Sequence, residues 1–220
     1  MNGGQIQSRM RCKLSLLILV LLPLFSIAQN KDLELWGSMK FSKKLTKKIR
    51  FELEEQIRWA DSLSQYKKNF TNLGVKYKVH KKHFLSLNLR LVDEVDELKY
   101  MRSHVDLNSD FDLNHLPLVF NQRLRFQQAW DSEGALDKTY VRSKWGLVMK
   151  SKFITPYIAH EFYWQIIESK SLDKQRSTIG VTWDMSDDMK MKLFLRRQTE
   201  INKKNPDILS IIGFGTHYKF

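Results

Sequence analysis

DILSIIGFGTHYKF, residues Asp207 to Phe220, is the stretch that decides the fold class. Counting back from Phe220 in steps of two gives Tyr218, Thr216, Phe214 and Ile212, while Lys219, His217, Gly215 and Gly213 fall on the other side. A period of two sends successive side chains to opposite faces, so the stretch is a strand with one apolar face. Chain ends ordinarily fray into water, and this one keeps its strand pattern through a terminal aromatic.

The same alternation runs back along the chain, and no segment carries the i, i+3, i+4 spacing of a helix. Ile49 to Trp59 is the clearest case: Ile49, Phe51, Leu53, Ile57 and Trp59 share one face, against Arg50, Glu52, Glu54, Gln56 and Arg58. Further strands are expected over 70–79, 84–92, 101–113, 118–130, 139–149, 153–167, 176–183 and 189–200. Leu33 to Phe41 fits as well. Many of these reach the roughly 9 to 11 residues that a tilted strand needs to cross a bilayer. Tight connections near Lys81-Lys82, 114–117, Ser151-Lys152 and 186–188 alternate with looser ones at 60–69, 93–99, 131–138, 168–174 and 201–207. That rhythm is expected of short periplasmic turns and longer outer loops. The strands number about eleven, whereas antiparallel closure of a bacterial barrel demands an even number. Either Leu33 to Phe41 is not a full crossing, leaving ten, or one more strand makes twelve.

Composition sets the compartment. Arg9, Arg11 and Lys13 precede an apolar run from Leu14 to Ile27, and Ser26-Ile27-Ala28 supplies small residues before Gln29. This is the pattern of a secretory signal peptide, with cleavage expected after Ala28 and Met10 as an alternative start. The remaining 29–220 reads as one domain. Formal net charge is +13 and falls to +10 once the three basic residues of 1–28 are removed. Such a charge suggests nucleic acid or an anionic surface, but export makes nucleic acid an unsuitable partner. The lone cysteine, Cys12, precedes the apolar run, so the mature chain has no thiol, disulfide or cysteine metal site.

Alternation by itself does not say which face is outside, since a soluble ligand-binding barrel turns its apolar face inward. Strand length favours the membrane. So does the placement of Trp36, Trp59, Phe70, Tyr100, Phe111, Trp130, Tyr140, Phe153, Trp164, Trp183 and Tyr218 near strand ends, as aromatic girdles require. The expectation is therefore an all-β, antiparallel outer-membrane β-barrel of 10–12 strands, monomeric and surrounded by outer-membrane lipid.

The charged face then lines the lumen. Its bases include Arg50, Arg58, Arg90, Arg102, Arg123, Arg125, Arg142, Arg176 and Arg196, and its acids include Glu52, Glu54, Asp106 and Glu161. In a narrow barrel these long side chains interlock as a filling network. Alternatively, their basic excess concentrates anions in a small pore.

Catalytic groupings are sparse. A turn centred on Ser151-Lys152 would set Ser143 opposite His160 on the apolar face, an arrangement resembling that of outer-membrane lipid hydrolases. No orienting acid shares that face, because Glu161 has the opposite parity. Glu55 interrupts the apolar face of its strand and reads as a bulge or an interfacial residue. His80, His83, His104, His115 and His217 lack metal spacing, and no Gly-rich phosphate loop is present, so neither metal nor cofactor is expected.

Two resemblances complete the reading. Alternating final strands that close on Phe resemble the C-terminal signal of bacterial outer-membrane barrels, which implies that Phe214, Tyr218 and Phe220 are read by the barrel-assembly machinery. The chain also carries Leu35-Trp36-Gly37, a basic turn before a strand ending in Arg58-Trp59, and Thr155-Pro156-Tyr157 with His160-Glu161-Phe162. Arg176 to Gly180 and the terminal Phe follow. In these the chain resembles an outer-membrane barrel family of Bacteroidota known only as a domain of unknown function. The motifs are short and imply fold and location, with no catalytic residues.

Overall fold

A computed structural model describes residues 32–95, 100–114, 116–167 and 169–220, so the segment 1–28 expected to be a signal, Cys12 and His115 lie outside the described residues. Eleven strands form one closed barrel: β1 (Asp32–Lys44), β2 (Ile49–Ala60), β3 (Gln65–His80), β4 (His83–Glu94), β5 (Tyr100–Leu113) and β6 (Leu118–Trp130). They are followed by β7 (Leu136–Met149), β8 (Ile154–Gln165), β9 (Leu172–Asp184), β10 (Met189–Glu200) and β11 (Ile208–Lys219). No helix occurs among the described residues. Every strand pairs with its sequence neighbours in antiparallel register.

Closure corrects the expected parity. β1 is a full strand, and it pairs with β11 in parallel from Asp32↔Leu209 to Ser42↔Lys219. With eleven up-and-down strands the first and last necessarily run the same way, and a parallel ladder satisfies the backbone groups of both. Ser42 Oγ bonds His217 Nε2 across this seam at 2.8 Å, and the Phe220 N–H donates to the Ser42 carbonyl at 2.9 Å.

The strands are longer than the alternation by itself indicated, because pairing continues into segments read as loops. β3 begins at Gln65, paired with Ala60, and β9 begins at Leu172. The connection 61–64 is a tight turn in which Asp61, Ser62 and Leu63 all adopt positive φ. Register shifts at Arg58/Trp59, Ala129/Trp130 and Tyr163/Trp164 are bulges beside the rim formed by the β2–β3, β6–β7 and β8–β9 connections, here called the loop end. The opposite rim, made by the β1–β2, β3–β4, β5–β6, β7–β8 and β9–β10 turns, is the turn end.

The two faces are sharply different. Leu85, Leu87, Leu89 and Leu91 of β4 all point out and are exposed, Leu87 to 62%. Ser86, Asn88, Asp106, Arg125, Arg142 and Glu161 are buried inside. A soluble fold reverses that distribution. The interior holds one small apolar cluster, Trp36, Phe194 and Ile211, with Tyr157 and Leu209 against it. Cross-strand register sets these residues in a row that alternates large and small: Tyr157 opposite Gly180, Phe194 between Gly180 and Gly213, and Trp36 opposite Gly213. The glycines are required here by close approach, since a Cβ at Gly213 would overlap the Phe194 ring.

Candidate functional site

Strand alternation brings the sequence-predicted interior residues onto one inner wall, and their partners divide that wall into three levels. At mid-height Arg125 donates from Nε and an Nη to the two oxygens of Asp106 at 2.6 and 2.7 Å. Such a fork-on-fork pair is the strongest arrangement available to arginine and carboxylate. Beside it Glu161 Oε1 accepts from Arg123 at 2.5 Å and from Arg142 at 2.9 and 3.2 Å. Tyr163 donates its hydroxyl to the other Glu161 oxygen at 3.3 Å, and Arg142 reaches on to Gln127 at 2.8 Å. His104 and the Asn72–Asn88 pair complete this polar half, and the Trp36–Phe194–Ile211 cluster fills the other.

A cavity lies on each side of this layer. The turn-end cavity, about 260 Å³, is lined by Lys76, Asn108, Asp110, Arg123, Lys144 and Tyr157 among others. Its loop-end counterpart is larger, about 650 Å³, and reaches the rim at Trp130, Asp131 and Ser132. Asp106, Arg125, His104 and Glu161 line neither and stand between them. The strands agree on this level: on β6, Arg123 belongs to the lower cavity, Gln127 to the upper, and Arg125 to the layer between.

The loop-end cavity is cationic. Nine of its lining residues are lysine or arginine and three are carboxylates. Of the three, Glu34 is already engaged, accepting from Trp36 Nε1 at 2.5 Å and Lys67 Nζ at 2.7 Å. The arginines are held by rings. Arg58 lies over Trp36 at 3.5 Å and Phe70 at 4.3 Å, Arg90 over Phe70 at 5.2 Å, and Arg102 over Tyr100 at 4.9 Å. Arg142 and Arg176 stack on Tyr163 at 4.1 and 4.7 Å. At the rim, Glu200 accepts from Lys203 at 2.6 Å, and that hydrogen bond raises the Lys203 ammonium above its ordinary value.

Arg50, Glu52, Glu54 and Arg196 share the inner wall, with Glu52 bridging Lys40 at 2.7 Å and Arg196 donating to Thr178 at 3.0 Å. Phe214 and Tyr218 point outward and are exposed, and Phe220 packs on Phe41 and Tyr218 with centroids 6.2 and 4.9 Å apart.

Three expectations are corrected. Ser143 does not face His160: Trp145 does, and Ser143 lies opposite Phe162 and Leu124. The β7–β8 turn is centred one residue later, between Lys152 and Phe153, which displaces every partner by two positions. The hydroxyl at His160 Nδ1 is that of Ser177, 3.0 Å away, while His160 Nε2 is buried without a hydrogen-bond partner among the described residues. Second, Trp36, Phe70 and Tyr140 are buried inside, at 2%, 1% and 8% exposure, and Tyr100 lines the loop-end cavity, so these four are not girdle residues. Position near a strand end suggested the girdle, but parity governs direction: Trp36 shares its face with Glu34 and Phe70 with Asn72. That parity was the available signal for the rings of the loop-end cavity. Third, Glu55 sits in regular pairing with Met39 and Thr71 in the middle of β2, so it marks neither a bulge nor a rim.

A closed all-β barrel with a charged interior and an apolar exterior is the class that fold and site define. The chain belongs to the family described as protein of unknown function (DUF2490), whose model matches residues 33–208. No curated protein matches it.

Proposed function

We propose that this chain is an integral outer-membrane β-barrel, exported through a cleaved signal, monomeric in the lipid and inserted by the barrel-assembly machinery. Its interior is a side-chain-filled scaffold with a cup at the loop end, and it is neither an open pore nor an enzyme. The observation that carries membrane residence is the inversion of faces: β4 presents Leu85, Leu87, Leu89 and Leu91 outward while Asp106, Arg125 and Glu161 are buried within. In a closed barrel with no free edge, backbone groups are satisfied within the wall, which is what hydrocarbon demands.

The filled interior is favoured over the anion-preferring channel by the Arg125–Asp106 and Arg123–Glu161–Arg142 groups, which separate the two cavities. The lipid-hydrolase alternative loses its Ser143–His160 pair with the observed register, and the Ser177 hydroxyl that meets His160 instead has no carboxylate beside it to orient the ring, since Glu161 turns inward to arginines. The test has two readouts. Folded protein should need detergent and migrate faster on a gel before boiling than after; water-soluble folded protein would overturn membrane residence in favour of a secreted soluble barrel. In planar bilayers the inserted protein should carry no steady current, and anion-selective conductance would overturn the filled interior.

A further inference from the structure

The loop-end arginines are arranged in a way that the filling of a barrel does not require. A buried guanidinium is most strongly compensated on a carboxylate, as Arg125 is on Asp106. Among the described residues no carboxylate lies within ion-pair distance of Arg58, Arg90, Arg102 or Arg176. Each instead has one bond to a neutral group. Arg58 donates to Gln56 at 3.2 Å, Arg90 to Asn72 at 3.3 Å, Arg102 to the Tyr100 hydroxyl at 2.7 Å, and Arg176 to Gln198 at 2.6 Å. Arg58 and Arg102 further keep a buried Nε–H with no acceptor among the described residues.

What holds these cations is stacking. Trp36 and Phe70 lie against Arg58, Phe70 against Arg90, and Tyr163 against Arg176. A ring against the face of a guanidinium fixes its plane and consumes none of its N–H donors, which all lie in that plane. Rings thus hold Arg58, Arg90 and Arg176, and the Tyr100 hydroxyl holds Arg102, so four forks drawn from β2, β4, β5 and β9 surround one cavity open at the rim with donors still unspent. Lys67, Lys68, Lys138, Arg142 and Lys174 are paired with Glu34, Glu94, Asp137, Glu161 and Asp173, so the surplus that remains in the lining is the four guanidiniums of Arg58, Arg90, Arg102 and Arg176, which suits a partner of more than one charge. Forks arriving from different strands suit the several oxygens of a tetrahedral anion better than the single plane of a carboxylate.

We propose that the loop-end cup is a phosphoryl-binding site, taking a phosphate or phosphate monoester group on the guanidinium edges of Arg58, Arg90, Arg102 and Arg176. The layer of Asp106, Arg125 and Glu161 forms its floor, so the ligand enters and leaves by the loop end. The inference rests on the barrel interior alone and is independent of membrane residence.

The test uses full-length refolded protein in neutral detergent, with its fold verified on each variant by heat-modifiable gel migration. Titration calorimetry with inorganic phosphate should show saturable binding that weakens as salt is raised, and acetate should bind at least about tenfold more weakly. Arg58→Gln and Arg102→Gln should each lower phosphate affinity by about tenfold or more, and Arg58→Lys, which keeps the charge and loses the fork, should lie between. Lys47→Gln, in the β1–β2 turn at the far rim, should change nothing. Nanodiscs with and without phosphatidic acid separate the sources: protection from phosphate titration only with phosphatidic acid identifies a lipid headgroup, and equal titration in both identifies free phosphate. Absence of saturable binding in every arm, affinity unaltered in Arg58→Lys and Arg102→Gln, or equal binding of acetate would each overturn the proposal. Should Arg58→Gln not fold, Arg58→Lys and Arg102→Gln carry the result.

Discussion

The ring of Phe194 occupies the space that a side chain at Gly213 would need, and the two residues face each other across the β10–β11 ladder. On the other side Phe194 faces Gly180. One aromatic thus spans two strands beside the seam where β1 meets β11 in parallel.

Gly213→Ala should therefore destabilise the barrel by about 1–3 kcal/mol through overpacking, and Gly213→Val by more. Urea unfolding in lipid vesicles, followed by Trp fluorescence, measures both. Unchanged midpoints would mean that Phe194 has room to move.

The Arg125–Asp106 pair predicts a loss that a second substitution recovers. Arg125→Met leaves a buried carboxylate without its partner and should cost about 3–5 kcal/mol, whereas the double change Arg125→Met with Asp106→Leu should recover most of it. The same unfolding assay reads the cycle. A double variant as unstable as the sum of its parts would show no coupling between the two side chains and would overturn the account of them as one buried pair.

Leu87 tests what surrounds the outer face. It is 62% exposed and adjoins Ser86, which pairs with Asp106 in the central layer. Leu87→Arg should cost about 2–4 kcal/mol if that face meets hydrocarbon. In water a surface substitution of this kind stays within about 0.5 kcal/mol. The size of the loss thus reads the environment directly.

Glu55 gives the converse. It interrupts the outer face of β2 between Met39 and Thr71, with no ion-pair partner among the described residues. Glu55→Leu should raise the unfolding midpoint in vesicles, by less than the roughly 2–4 kcal/mol associated with a basic residue at the bilayer centre. The midpoint should not change in detergent-free aqueous refolding of any soluble form.

Most of the barrel could be read from its period of two. Ile49 to Trp59 and Asp207 to Phe220 declare both faces, because each exposes apolar residues at one parity and polar residues at the other. Strand ends were less legible: pairing carried β3 back to Gln65 through residues whose composition reads as loop, since backbone hydrogen bonds to a neighbouring strand outweigh weak local preference. The register of β7 against β8 was not legible at all. A turn's length fixes it, and two positions separate a Ser143–His160 pair from the observed Trp145–His160 and His160–Ser177 neighbours.

The sequence by itself determined that this is an all-β chain whose strands carry one apolar and one charged, largely basic face, because alternation is local and charge is countable. Only the tertiary structure decided that Asp207 to Phe220 closes the barrel in parallel on β1, and that Trp36 and Phe70 turn inward against Arg58. It also decided that some arginines end on carboxylates and others on rings. Those outcomes depend on which residues lie across strands distant in sequence, and that is set by closure and shear of the whole sheet.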